Sequence, residues 1–216
     1  MTSVRSIVFA KAPRPGMVKT RLISALGEEG AACLASLMLA HTLDKAKAAA
    51  VGPVELCMSP APDHEAWRGI YVPRNIELTA QGKGDLGERM ARAARWGLMR
   101  DKAVLLMGTD CPELSVAHLQ AAARHLDDDD CVIHPTADGG YALLGLTRTD
   151  PFLFSDIAWG TDGVAHATLC KLGALAWSTR VGAMLHDIDE PKDMSWVPQA
   201  WRTALNMSPL DDYSGK

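Results

Sequence analysis

Short apolar runs recur along the chain, and glycine, proline or charged residues bound each of them. Runs of this kind, without polar alternation, are typical of strands that are buried on both faces. They predict strands at "SIVFA" (6–10), "PVELCMSP" (53–60), "IELTAQ" (76–81), Ala103–Met107, "CVIHP" (131–135), "YALLGL" (141–146) and "AMLHDID" (183–189).

Stretches with apolar residues at helical spacing predict the helices. Glu28–Ala50 is rich in alanine and leucine, Asp85–Arg100 is amphipathic, and Ser115 suits the N-cap of a helix that ends near Leu126. Further helical segments span roughly 163–172 and begin at Glu190. Because strands and helices alternate, we expect one α/β domain with a mostly parallel, mixed sheet and helices on both faces. It is expected to span residues 1–206, with a flexible polar tail at 207–216.

Composition narrows the range of partners and locations. The 216 residues carry a net charge of −4, which argues against a general nucleic-acid or anionic-membrane surface. No apolar run approaches the roughly 20 residues of a membrane helix, and no signal-peptide pattern is found, so we expect no membrane span. The five cysteines are scattered without a CxxC pair, which favours a reducing cytoplasm. The six tryptophans leave homo-oligomer formation open.

The stretch "FAKAPRPGMVKTRL" (9–22) crowds cations on a loop directly after the first predicted strand. It does not match the phosphate-binding P-loop, because the glycine spacing before the lysine is wrong. Its prolines restrict the backbone, Gly16 permits close approach of a ligand, and Lys19 and Arg21 supply cationic donors. We therefore interpret the loop as an anion site, with a solvated basic loop as the alternative.

Aspartates follow two later strands. Asp110 comes directly after a buried strand, where a carboxylate suits a hard cation such as Mg²⁺ or Mn²⁺, although it could equally cap the following turn. Asp187 and Asp189 alternate, so on a strand they share a face, and one of them could join Asp110 at the same metal. The alternative is that Asp189 caps a helix that begins at Pro191.

The segment "PTADGGYALLGL" (135–146) joins two predicted strands through a Gly-Gly pair that suits a hairpin turn. Asp138 in this turn could face a substrate. Asp138 or His134 could activate an acceptor, although packing explains His134 equally well. The run Asp127–Asp130 is interpreted as a solvated loop. Since ligands bind beyond the carboxyl ends of strands in such sheets, the stretches that follow strands predict an active-site cleft.

Six motifs, in order, resemble those of the small bacterial glycosyltransferase-A-like proteins of the DUF2064 type. They are "FAKAPRPGMVKTRL", "QGKGDLGERM", "GTDCPEL", "DGGYALLGL", "WGTDGV" and "DIDEPKD". The resemblance spans Val8 to about Trp196. It implies a Rossmann-like nucleotide-diphospho-sugar transferase domain (GT-A fold). Its relatives are nucleotidyltransferases that make activated phospholactate, activated sugars and the molybdenum cofactor dinucleotide.

The resemblance also implies roles for individual residues. The loop after the first strand would hold nucleotide phosphates, and the segment that starts at Gln81 would line the base and acceptor region. Asp110 would bind the metal with Asp187 or Asp189, and the predicted catalytic residues are Asp110, Asp138 and Lys19. The predicted substrate-binding residues are Lys11, Arg14, Gly16, Lys19, Arg21, Gln81, Gly82, Gly84, Thr109, Asp138, Gly139 and Trp159.

These expectations favour a transferase that depends on Mg²⁺ or Mn²⁺ and acts on a nucleotide-diphospho-sugar and a small-molecule acceptor. Nucleotidyl transfer with release of pyrophosphate is the alternative. Sugar nucleotidyltransferases typically open with a "GGxGxR" loop, however, where this chain has Ala-Pro-Arg-Pro-Gly. A non-catalytic nucleotide-binding module is a second alternative.

Overall fold

The computed structural model describes residues 3–207, in which a seven-stranded sheet is flanked by helices. The strands are β1 (Val4–Lys11), β2 (Val54–Ser59), β3 (Glu77–Ala80), β4 (Ala103–Met107), β5 (Cys131–Pro135), β6 (Tyr141–Leu146) and β7 (Thr179–Val181). The α-helices are α1 (Ile23–Ala49), α2 (Leu86–Leu98), α3 (Val116–His125), α4 (Val164–Ala174) and α5 (Gln199–Arg202). Short 3₁₀ helices cover Thr20–Leu22, Glu65–Trp67, Pro151–Leu153 and Pro191–Trp196.

The strand order brings two distant loops side by side. In the order β3-β2-β1-β4-β6-β5-β7, β6 is antiparallel to both neighbours, and the other neighbouring pairs are parallel. The chain moves outward from β1 to β2 and β3, and then returns to the other side of β1 as β4. Such a switch point leaves a crevice beyond the carboxyl ends of the two strands. The loops that follow β1 and β4 both leave the sheet there.

The central strands are apolar throughout because helices cover both faces of the sheet. Leu105 of β4 packs in a core layer with Leu39 of α1 and Leu119 of α3. Its neighbour Leu106 points to the other face and packs with Met90 of α2. The uninterrupted apolar runs that predicted these strands thus reflect burial on both sides, and the predicted α/β class is confirmed.

The helical stretch Thr20–Ala49, which includes α1, is long and apolar enough, by length and composition, to cross a membrane. The expectation of no membrane span counted only unbroken apolar runs, so it did not consider this helix. The core helix of a soluble protein passes the same test, and Leu34, Met38 and Leu43 of α1 are buried within the fold. Gly27 has non-helical backbone angles (φ 70°, ψ 172°), so the helical geometry is interrupted near its start.

The predicted strand at 183–189 is wrong. The last strand is β7, which is parallel to β5, whereas Leu185 makes only an isolated bridge to Thr136. Because β7 is short, and two of its three residues are exposed, it has no apolar run by which the pattern could reveal it. The other predicted strands and helices are found: β4, β5 and β6 have the predicted bounds, and the remaining elements have shifted ends. The predicted tail lies outside the described residues from position 208 onward.

The 3₁₀ helix near the carboxyl end begins at Pro191, as the capping interpretation had it, but its N-cap residue is different. Its residues are Pro191–Trp196, and the residue at its N-cap is Glu190 rather than Asp189. The Asp193 carboxylate accepts hydrogen bonds from the N–H groups of Asp189 (3.1 Å) and Glu190 (2.8 Å). The Asp189 side chain is therefore not used as a cap and can point elsewhere.

A buried ion cluster fastens the amino-terminal end of the sheet. Arg5 of β1 is 3% exposed and pairs with Glu55 of β2 (3.2 Å), Glu77 of β3 (2.7 Å) and Asp101 before β4 (2.8 Å). Glu55 is 2% exposed. The cluster links three neighbouring strands and the entrance to a fourth, at the end of the sheet opposite to the crevice.

We expect Arg5→Ala to lower the free energy of unfolding by about 3–5 kcal/mol, because Glu55 would remain as an uncompensated buried charge. The matched control is Arg180→Ala, which removes a 54% exposed arginine from its pair with Asp129 at the surface and should cost no more than about 1 kcal/mol. Urea unfolding followed by circular dichroism measures both values. Similar losses in the two variants would contradict the role assigned to the buried cluster.

Candidate active site

A cleft of about 970 Å³ opens beyond the carboxyl ends of β1 and β4 and beside the β5–β6 turn. It gathers predicted site residues from several separate segments of the chain. They are Lys11, Lys19, Arg21, Gln81, Thr109, Asp110, Asp138, Trp159, Asp187 and Asp189. The fold thus brings the basic loop and the distant aspartates into one pocket, while the roles of the individual side chains stay predictions.

The other predicted site residues do not line this cleft: Arg14, Gly16, Gly82, Gly84 and Gly139. Arg14 turns away from it, and its guanidinium donates to the carbonyl oxygens of Ala66 (2.7 Å) and Arg68. It thereby clamps the loop after β1 to the segment that follows β2. A guanidinium held in this way is not placed to bind nucleotide phosphates, so the geometry gives Arg14 a structural role instead.

Two of these glycines shape the cleft without facing it. Gly82 has φ 77°, and a Cβ there would lie 2.8 Å from the Arg92 guanidinium. Gly139 has φ 91°, and a Cβ there would lie 1.9 Å from the carbonyl oxygen of Asp162. Only glycine therefore lets the β5–β6 turn touch the 159–163 turn, which carries Trp159 into the cleft.

Lys19 is the central cation of the site. Its backbone is left-handed (φ 47°, ψ 41°), a conformation that a residue other than glycine keeps only where its surroundings hold it. Its Nζ lies 2.6 Å from Asp110 Oδ1 and 2.5 Å from Asp189 Oδ1, and it donates to the Ile188 carbonyl oxygen at 2.8 Å. Burial disfavours the charged amine, but the two carboxylates outweigh burial and raise the pKa of Lys19 above its ordinary value.

Asp138, Asp187 and Asp189 form an acidic group, in which one carboxylate oxygen of each lies within 4.8 Å of the others. Asp138 is fixed by hydrogen bonds from the Thr136 hydroxyl (2.6 Å) and the Gly140 N–H (2.9 Å). Burial opposes its ionisation, but these bonds prevail and lower the pKa of Asp138. Burial, and after it the charge of Asp138, raises the pKa of Asp187 to about 7. A cation between these carboxylates would relieve their repulsion.

The donor set of the acidic group fits Mg²⁺ or Mn²⁺, because hard cations take carboxylate oxygens. It differs from the predicted set of Asp110, Asp187 and Asp189. Asp138 lies with Asp187 and Asp189 in the acidic group, whereas Asp110 lies outside it and pairs with the Lys19 amine. The sequence predicted Asp110 as a metal ligand because it follows β4, but a sequence does not show that a lysine pairs with this carboxylate.

The sequence prediction missed Arg89 of α2, which also lines the cleft. Its guanidinium donates to the Gly84 carbonyl oxygen (2.8 Å) and to Gln81 Oε1 (3.3 Å). Gln81 is buried, and its Nε2 donates to the carbonyl oxygens of Ala10 (3.2 Å) and Cys57 (3.0 Å) at the ends of β1 and β2. The place of Arg89 at the end of the "QGKGDLGERM" motif is the signal that could have identified it.

A stacked pair of rings on the cleft wall was missed as well. The rings of His186 and Trp196 lie 3.6 Å apart at 11°, and both residues line the cleft. Glu113 Oε2 accepts from the His186 N–H at 2.8 Å and lies 3.0 Å from its Nδ1. His134, the other candidate base, is 6% exposed with Nδ1 3.1 Å from the Ala183 carbonyl oxygen, which favours the packing interpretation.

Three solved structures share this fold. A protein of Desulfovibrio desulfuricans G20, provisionally named a nucleotide-diphospho-sugar transferase, is 28% identical over 95% of this chain and 94% of its own, with a TM-score of 0.84. Rv0371c of Mycobacterium tuberculosis H37Rv, in complex with manganese, is 16% identical over 91% of this chain and 98% of its own (TM-score 0.55). A cytidylyltransferase of Leptospira borgpetersenii serovar Hardjo-bovis is 12% identical over 94% and 88% (TM-score 0.59). All three likenesses confirm the predicted fold, and that to the Desulfovibrio protein supports the prediction of a transferase.

Curated proteins give no significant sequence match to this chain. A family model described as "Uncharacterized protein conserved in bacteria (DUF2064)" matches residues 42–161. The matched segment runs from within α1 to the turn that carries Trp159, and it includes Asp110 and Asp138 of the cleft. Because it covers more than half of the 216 residues, the chain belongs to the DUF2064 family, as the resemblance of its motifs predicted.

Proposed function

We propose that this protein is a metal-dependent transferase that acts on a nucleotide-diphospho-sugar. The observation that carries the proposal is the meeting of the acidic group with the cations Lys11, Arg21 and Arg89 in one cleft. A diphosphate bound with a divalent cation requires both kinds of partner, since the cation needs carboxylates and the phosphate oxygens need positive charge. The provisional name of the Desulfovibrio protein and the manganese complex of Rv0371c support the substrate class and the cofactor.

Individual side chains would divide the work. The acidic group would hold Mg²⁺ or Mn²⁺, which when bound offsets the negative charge that develops on the diphosphate leaving group. Lys11 and Arg21 are exposed on the basic loop and would bind phosphate oxygens, with Arg89 reaching in from α2. Trp159, which also lines the cleft, would offer a flat apolar surface to the base or the acceptor.

Nucleotidyl transfer remains the alternative, because the same fold is found in a cytidylyltransferase. The loop after β1 argues against it. In place of a glycine-rich loop, this chain has Pro13 and Pro15, so fewer backbone N–H groups can converge on a triphosphate. The side chain of Arg14, which could compensate, is bound to the carbonyl oxygens of Ala66 and Arg68.

We expect the protein with Mn²⁺ to release a nucleoside diphosphate from at least one nucleotide-diphospho-sugar in the presence of a small-molecule acceptor. A panel of nucleotide sugars and acceptors, followed by mass spectrometry, measures this release. Asp189→Asn should lower the rate by at least about 100-fold, because it removes a carboxylate of the acidic group that is also a partner of Lys19.

Two results would contradict sugar transfer. Release of pyrophosphate from a nucleoside triphosphate and a phosphorylated acceptor, with no turnover of nucleotide sugars, would establish the nucleotidyltransferase alternative. Binding of nucleotide without turnover in either assay would favour the non-catalytic module.

We expect Asp138→Asn to weaken Mn²⁺ binding by at least about 10-fold, because it removes one charged oxygen donor from the acidic group. The control is Asp128→Asn, an exposed residue that does not line the cleft, which should leave the affinity unchanged. Isothermal titration calorimetry with Mn²⁺ measures both. Equal affinities in Asp138→Asn and the wild type would remove Asp138 from the metal ligands.

A further inference from the structure

Lys19 has no N–H group left for a substrate. An ammonium has three donors, and here Asp110, Asp189 and the Ile188 carbonyl oxygen accept them at 2.6, 2.5 and 2.8 Å. The side chain is only 7% exposed, whereas that of Arg21 on the same loop is 67% exposed. A phosphate could reach Lys19 only by displacing one of its present partners. The predicted role of Lys19 as a phosphate ligand therefore does not suit this geometry.

The surroundings of Lys19 Nζ are those of a bound cation. Two carboxylate oxygens and one carbonyl oxygen surround it, and these are the donors that Mg²⁺ and Mn²⁺ take. Asp189 belongs both to this shell and to the acidic group with Asp138 and Asp187. Two adjacent cation positions that share a carboxylate correspond to the arrangement of a two-metal site, and in this protein an amine fills one of them.

The local charges are consistent with this arrangement. With a divalent cation bound, Asp110, Asp138, Asp187 and Asp189 would all be ionised and carry four negative charges, of which Lys19 offsets one. One divalent cation at the acidic group would then leave a single negative charge. The exposed cations Lys11 and Arg21 remain for the phosphates. A second divalent cation is not required to stabilise Asp110, since its carboxylate is already paired at 2.6 Å.

We propose that the Lys19 ammonium permanently occupies one of two adjacent cation positions, so that the cleft binds one divalent metal ion at the acidic group instead of two. The inference rests on the proposed function for the metal itself. It goes further by setting the number of metal ions and by making Lys19 a positioning residue. Removal of the ammonium, with Asp110 and Asp189 left in place, opens the second position to a metal ion.

The test is the stoichiometry of Mn²⁺ binding to the full chain at fixed pH and ionic strength, measured by calorimetry and by the electron paramagnetic resonance signal of free Mn²⁺. The wild type should bind one ion and Lys19→Ala two. The control is Lys192→Ala, which removes the same charge from the rim of the cleft, where the lysine is 75% exposed and paired with Glu190. It should still bind one ion.

Thermal unfolding supplies a second readout. Lys19→Ala leaves Asp110 and Asp189 unpaired, so its melting temperature without metal should fall below that of the wild type. Saturating Mn²⁺ should raise the melting temperature of Lys19→Ala by more than that of the wild type, because the variant binds an additional ion only when folded. If Lys19→Ala does not fold without metal, elemental analysis of protein purified in excess Mn²⁺ gives the same stoichiometry.

The outcomes separate this inference from the proposed function. One ion in both proteins, or two in the wild type, would overturn the inference and leave a metal-dependent transferase standing. No ion in either protein would remove the metal from the proposed function and overturn the inference with it. Two ions in Lys192→Ala would overturn it as well, because a general loss of positive charge would then suffice.

Discussion

The pairing of Lys19 with Asp110 and Asp189 joins parts of the chain that are far apart in sequence. Lys19 follows β1, Asp110 follows β4, and Asp189 lies beyond β7. The Lys19 side chain is only 7% exposed, and a buried charge without its partners is strongly destabilising, so Lys19 depends on the two carboxylates. The backbone at Lys19 is left-handed, a conformation that a residue other than glycine keeps only where its surroundings hold it, and the pairing with the two carboxylates does so. The cleft is therefore organised by an ionic contact rather than by apolar packing.

A buried cation lies near each end of β1: Arg5 is within the strand, and Lys19 is on the loop that follows it. The two cations differ in the balance of charge around them. At the amino end, Arg5 and Arg100 face Glu55, Glu77 and Asp101, so cations nearly match carboxylates. At the carboxyl end, Lys19 pairs with Asp110 and Asp189, and Asp138 and Asp187 lie beside Asp189. In the first arrangement, side chains of the protein itself pair with the carboxylates, and these pairs link the strands of the sheet. The second keeps an excess of negative charge, and a site of that kind is stabilised by a cation from solution.

The sequence predicted the fold well because it is specified by features that a single chain displays. Apolar runs mark strands buried on both faces, and their alternation with helices leads to a mostly parallel sheet. It also predicted which loops would meet, since carboxyl ends of parallel strands share an edge. It failed where the direction of a side chain decides. Arg14 and Lys19 are cations of one loop, yet Arg14 binds carbonyl oxygens outside the cleft while Lys19 enters it. Likewise, Asp138 rather than Asp110 joins Asp187 and Asp189 in the acidic group, because hydrogen bonds of the hairpin turn fix Asp138 next to Asp187.

These contacts also explain why proline can replace glycine in the loop after β1. A glycine-rich loop binds phosphates through converging backbone N–H groups, which requires an adaptable backbone. Here the loop instead holds Lys19 against two carboxylates and Arg14 against the segment that follows β2. Pro13 and Pro15 flank Arg14, where they restrict the backbone and so reduce the conformations lost on folding. In the proposed function, phosphates would be left to side chains at the surface of the cleft. A stiff loop with an internal lysine and external cations thus replaces a flexible loop of backbone donors.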